Sequence, residues 1–133
     1  MLGDKLGEET GQITSTKVVS TNPPTTEVSF QANGQILGVE TSTIATYTSV
    51  MRPDGTIYGE GEGLVLTADG EGASWKGSGV GVLTGKGMGA KYRGAIYYST
   101  ESEKLSKLNS IAAVFEYEVD AEGKTHGIIW EWS

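Results

Sequence analysis

Along most of the chain apolar and polar residues alternate one by one, and each run of alternation breaks at a short cluster of Gly, Pro, Asn or Asp. Alternation puts successive side chains on opposite faces of an extended chain, so the pattern predicts strands. Eight are expected. The first covers about Gly11 to Ser20 and stops at Thr21-Asn22-Pro23-Pro24, where the prolines lack the N–H that a ladder needs. The second, Thr25 to Ala32, sets Val28 and Phe30 against Glu27, Ser29 and Gln31 and ends at the hairpin signal Asn33-Gly34. A third, Ile36 to about Met51, stops at Arg52-Pro53-Asp54-Gly55, where Pro53 presets φ and Gly55 accepts the left-handed conformation.

Strands four to six are expected at Thr56 to Thr67, Ala73 to Leu83 and Gly89 to Ser99, separated by Ala68-Asp69-Gly70 and Thr84-Gly85-Lys86-Gly87. The seventh, Ile111 to Val119, joins the eighth, Lys124 to Trp132, through Asp120-Ala121-Glu122-Gly123. Helical spacing occurs once, in Thr100 to Asn109. There Thr100 and Glu103 have the spacing of a capping box, and Leu105 and Leu108 share a face.

Eight consecutive strands joined mainly by short turns favour an all-β fold: an antiparallel up-and-down barrel with one short helical turn between strands six and seven. Closure removes the two edges that an open sheet would expose. A two-sheet sandwich fits the same pattern and is the alternative. A length of 133 residues suits one domain. Residues 10–133 are therefore expected to form a single barrel domain, and the acidic, polar residues 1–9 a flexible N-terminal tail.

Strand parity sorts the side chains. One parity of strand seven holds Ile111, Ala113, Phe115, Tyr117 and Val119, and on strand eight the even positions hold His126, Ile128, Trp130 and Trp132. These faces are expected inside. The opposite parity carries Glu116 and Glu118, then Lys91 and Arg93 on strand six, Lys76 on five and Glu60 and Glu62 on four, as cross-strand pairs on a solvated wall. The inward parity of strands four and five is nearly bare, with Gly59, Gly61 and Gly63 facing Gly77, Gly79 and Gly81. Each glycine inside a strand costs roughly 0.5–1 kcal/mol against alanine, so something compensates. Either aromatic rings from facing strands lie across the bare wall, or the room is left for a ligand; coiling of the strands is a further use for the glycines. An eight-stranded barrel has an interior just wide enough for either outcome.

Seventeen acidic and ten basic residues give a formal charge of −7. That balance repels phosphate backbones and anionic lipid, so no nucleic-acid or membrane partner is expected. Cysteine is absent, which excludes thiol redox chemistry and disulfides. The first residues lack the basic start and apolar run of a secretory signal, so a cytoplasmic location is expected. The outward parity of strands four to seven also holds Leu64, Leu66, Val80, Val82, Ala95, Tyr97 and Val114, an apolar strip that suggests a homo-oligomer.

Gly85-Lys86-Gly87-Met88-Gly89-Ala90 matches G-x-G-x-x-A, but a strand follows it, and a dinucleotide site needs a helix there. It reads as a glycine-rich hairpin. No cofactor and no metal site is expected, since one histidine without cysteine supplies no usual ligand set. The candidate ligand-binding residues are the aromatics and the histidine assigned to the inner face: Trp75, Tyr92, Tyr98, Phe115, Tyr117, His126 and Trp130. The phenols can serve a ligand's carbonyl or hydroxyl, or simply fill the core.

The stretch Tyr58-Gly59-Glu60-Gly61-Glu62-Gly63, with Asp69-Gly70-Glu71, Tyr92-Arg93-Gly94-Ala95-Ile96-Tyr97-Tyr98 and Trp130-Glu131-Trp132, resembles an uncharacterised bacterial family of small β-barrel proteins. The architecture of that family is similar to the allene oxide cyclase and dirigent barrels, which implies eight antiparallel strands and frequent oligomers. It implies no activity. Three functions are expected in order: a module binding a small hydrophobic or aromatic molecule inside the barrel, a cyclase or isomerase acting on a lipophilic substrate with a tyrosine or His126 as proton donor, and an oligomeric structural protein with a filled core.

Overall fold

A computed structural model describes all residues 1–133. Eight strands run in chain order: β1 (Leu2–Thr21), β2 (Pro24–Ile36), β3 (Val39–Met51), β4 (Thr56–Thr67), β5 (Gly72–Leu83), β6 (Ala90–Thr100), β7 (Ala113–Val119) and β8 (Lys124–Trp132). Each pairs antiparallel with the next, and β8 pairs with β1 to close the barrel. A short 3₁₀ helix (Glu103–Ser110) lies between β6 and β7.

Three of the hairpins share one device. Arg52 N–H bonds the Thr56 carbonyl at 2.8 Å, Thr67 N–H that of Glu71 at 3.0 Å, and Asp120 N–H that of Lys124 at 2.9 Å. Each bond leaves a three-residue loop, and each loop ends in a glycine with positive φ: Gly55 (88°), Gly70 (83°) and Gly123 (85°).

The hairpin expected at Asn33-Gly34 is not there. β2 continues through both residues to Ile36, and the turn is Leu37-Gly38, both at positive φ (52° and 76°). Gly34 has another task. A Cβ at that position would sit 1.9 Å from the Glu8 carbonyl oxygen, so its hydrogen side lets β1 approach β2.

The N-terminal segment also departs from expectation. β1 starts at Leu2 instead of near Gly11, and residues 2–9, expected as part of a tail, pair with β8 and then with β2 as well. Register shifts between Leu2 and Gly7 and again between Ile13 and Ser20 bend this 20-residue strand around the barrel. They also break the alternation that would have marked it as a strand.

The 3₁₀ helix plugs one end. Its Leu105 and Leu108 are fully buried and pack with Leu6, Ile36, Val65, Tyr98, Ala113 and Ile129. The expected capping box does not form, because the cap residue is Ser102 and its side chain makes no capping bond. Thr100 instead donates its hydroxyl to the Gly72 carbonyl at 2.7 Å. Asn109 clamps the Thr100 backbone, accepting from its N–H and donating to its carbonyl, both at 2.9 Å.

On the outside, Arg93 meets Glu116 at 3.5 Å and Lys91 meets Glu118 at 3.9 Å, the cross-strand pairs that the alternation predicted. These groups are largely exposed, so each pair contributes only a few tenths of a kcal/mol. Leu64, Leu66, Val80, Val82 and Tyr97 point outward and are exposed. No helix is long and apolar enough to cross a membrane.

Candidate functional site

The two glycine-bearing walls face the lumen and look at aromatic rings from other strands. A Cβ on Gly63 would lie 2.4 Å from the Trp75 indole, one on Gly79 would lie 3.1 Å from the Phe115 ring tip, and one on Gly59 would lie 3.2 Å from the Tyr92 ring. Rings thus fill much of the space that the missing side chains leave. At Gly61 and Gly81 the neighbouring strand itself crowds the would-be Cβ, with Tyr47 Cβ at 2.6 Å and the Thr46 oxygen at 2.7 Å from the first and the Lys91 oxygen at 2.1 Å from the second, so there the glycines allow tight coiling.

What remains is one small cavity of about 90 Å³ in the mid-barrel. Seven aromatic residues border it: Phe30, Tyr47, Trp75, Tyr92, Tyr98, Phe115 and Tyr117. Gly59, Gly61, Gly77 and Gly79 supply the flat wall, and Gly127 and Ile129 part of the far side. Tyr98 stands near the plugged end, and Tyr92 lies six residues back along β6, roughly 20 Å away at the usual strand rise. The Phe30 and Tyr117 rings lie 5.2 Å apart between centroids, and Tyr47 meets both Tyr92 and Tyr117 edge-on, at 5.8 and 5.6 Å.

The phenols are partnered sparingly. Tyr92 and Ser49 share a hydrogen bond of 2.7 Å, and the Tyr47 and Tyr117 hydroxyls lie 3.3 Å apart. Burial holds all four lumenal phenols, Tyr47, Tyr92, Tyr98 and Tyr117, above the ordinary tyrosine range. They therefore stay protonated at neutral pH and act as hydrogen-bond donors, not as bases.

Of the seven residues expected to bind a ligand, Trp75, Tyr92, Tyr98, Phe115 and Tyr117 border the cavity. His126 and Trp130 do not. The register pairs Tyr117 with Gly127 and Phe115 with Ile129, so the odd positions of β8 face in and the even positions face out. His126 instead bonds the Glu8 carboxylate on the outer surface, and Trp130 lies opposite Val114 and Lys5 on the same side. The reason is the loop. Read as four residues, Asp120–Gly123 would place the even positions of β8 inside. The Asp120–Lys124 pair shortens it to three, which keeps odd opposite odd. The bulky even positions of β8 had suggested the opposite.

Sequence reasoning missed the rings of Phe30 and Tyr47 and, more consequentially for the chemistry, the carboxyl of Glu9. Glu9 lies on β1, borders the cavity, and accepts a hydrogen bond from the Thr43 hydroxyl. Burial pushes its carboxyl above the ordinary glutamate range, opposed in part by the Thr43 bond. Glu9 in turn helps raise the Tyr98 phenol. Glu116 also touches the cavity rim, but its parity sends the carboxylate outward to Arg93. Lys, Arg and His are absent from the lining, and no cluster of three or more His, Asp or Glu is placed to hold a metal ion.

No family model matches the chain, and no curated protein matches its sequence. Solved structures do. A protein of unknown function from Clostridium acetobutylicum superposes with a TM-score of 0.83 at 10% identity, over 98% of each chain. A conserved protein of unknown function from Rhodopseudomonas palustris gives 0.82 at 12%, over 98% of this chain and 97% of that one. A β-barrel-like protein from Acinetobacter baumannii gives 0.78 at 11%, over 98% and 94%. The likeness is one of fold. It extends the expected resemblance to bacterial barrels of unknown function, and it does not reach the allene oxide cyclase or dirigent proteins specifically.

Proposed function

We propose that the barrel is a small-molecule binding module that holds one compact, largely apolar ligand among its lumenal rings. The observation that carries this reading is the cavity itself. In a barrel otherwise packed by rings and coiled backbone, about 90 Å³ stays open between the glycine wall and the aromatics. That is room for roughly three waters, in a lining with few polar partners to hold them. It is smaller than the roughly 150 Å³ that admits benzene in an engineered core, so the ligand is compact unless a ring swings aside.

Binding is favoured over catalysis because both expected proton donors are poorly suited: His126 sits on the outer surface against Glu8, and burial makes the lumenal phenols weaker acids than a free tyrosine. The eight-stranded architecture by itself transfers no reaction.

Gly127→Ala tests the reading with little risk to the fold. Its Cβ would meet nothing closer than 3.9 Å, at the Glu116 carbonyl and the Tyr117 ring. The methyl enters the cavity, while the lost glycine freedom in the unfolded chain stabilises by about 0.5 kcal/mol. Thermal-shift and fluorescence titration with small apolar compounds should find ligands for the parent protein and at least about tenfold weaker binding in the variant, since one methylene-sized misfit costs about 1–3 kcal/mol. Equal affinity in both proteins would place the ligand elsewhere.

A further inference from the structure

The cavity combines a ring-lined wall with one inward carboxyl and no cationic side chain. We propose that its ligand is a small organic ammonium ion, seated with its charge toward Glu9 and its methyl or methylene groups against the aromatic faces. This rests on the reading of the barrel as a binding module and adds the ligand's charge.

A carboxyl withdrawn from water and given a single hydroxyl donor is an incomplete site. It either stays neutral or meets a positive charge. The chain provides none inside, since Lys5 and His126 are both engaged by Glu8 on the outer surface. Electron-rich ring faces are the other half of a cation site. Indole and phenol faces attract an ammonium within about 6 Å, more strongly when the site is desolvated. Trp75, Tyr47 and Tyr117 line the same space. The volume of about 90 Å³ matches an ammonium carrying a few carbons and excludes long chains or fused rings. A formal charge of −7 also draws cations toward the protein.

The pH dependence follows from the groups around Glu9. Thr43 faces it from β3 and Tyr98 from β6, while its register partners Gly34 on β2 and Gly127 on β8 bring no titratable group. Tyr98 stays neutral, so Glu9 alone sets the charge. A cation binds the ionised carboxylate. Affinity is therefore full above the raised Glu9 value and lost as pH falls through it, in a window above the ordinary 4.5.

The test uses ethylammonium and the neutral, similarly sized ethanol, titrated by calorimetry at constant ionic strength. Ethylammonium should bind saturably, gain affinity with rising pH through the Glu9 transition, and lose at least about tenfold in Glu9→Gln. Ethanol should bind more weakly and ignore both pH and the substitution. If Glu9→Gln folds poorly, the pH profile of the parent protein decides alone. Equal binding of the two probes, or ethylammonium binding that is flat with pH, overturns the charge and leaves the cavity standing. Binding of neither probe, with Gly127→Ala indistinguishable from the parent, overturns both.

Discussion

Gly94→Ala should destabilise the barrel by about 3 kcal/mol or more, lowering Tm by roughly 10 °C for a domain of this size. Gly94 on β6 stands between Gly79 on β5 and Phe115 on β7. A Cβ there would lie 1.9 Å from the Ser78 carbonyl oxygen and 2.5 Å from the Gly79 Cα. Both obstacles are backbone, so no side-chain rotation relieves them, and the two strands must separate along their ladder. The opposing Gly79 allows no retreat either, since the Phe115 ring already presses on that side. Thermal and urea unfolding followed by circular dichroism would measure the loss. A change below about 1 kcal/mol would mean that β5 and β6 are not coiled as closely as described. Gly127→Ala, where the same methyl meets open space, is the matched control.

Leu105→Ala and Leu108→Ala come next, each expected to cost about 2–5 kcal/mol. The two leucines are 0% and 1% exposed and hold the 3₁₀ helix in the barrel end. Eight residues of 3₁₀ helix have little stability of their own, so packing keeps the plug in place. Truncating either leucine leaves a cavity that the strands, fixed by their ladders, cannot close. The two residues share neighbours, so their combined cost should differ from the sum. Urea midpoints give the magnitudes, and increased binding of a hydrophobic dye would report the loosened end. Midpoints within experimental error of the parent would show that the plug is dispensable.

Both predictions turn on features of differing visibility. The Leu105–Leu108 pair was legible as a short apolar face, and so was its place between strands six and seven. The inward facing of Gly59, Gly61 and Gly63 was legible too, because period two is rigid along a single strand; what occupied the space before them was not. Gly94 and Gly34 were harder to read. A glycine inside a strand looks the same whether it marks a turn, a ligand wall or a close crossing, and only the neighbouring backbone distinguishes them.

The number of strands, most turn positions, the up-and-down order and the inward parity of β4 to β7 were all readable from the order of residues. These are local properties, set by alternation and by glycine or proline at positions where other residues are strained. Tertiary structure alone decided the facing of β8 and the identity of Glu9 as the lumenal carboxyl. Parity passes from strand to strand through loop length, and one residue more or fewer in the Asp120–Gly123 connection exchanges inside for outside. The place of Glu9 depends on β1 meeting β8 across more than a hundred residues of chain. That pairing has no local signal and exists only once the barrel closes.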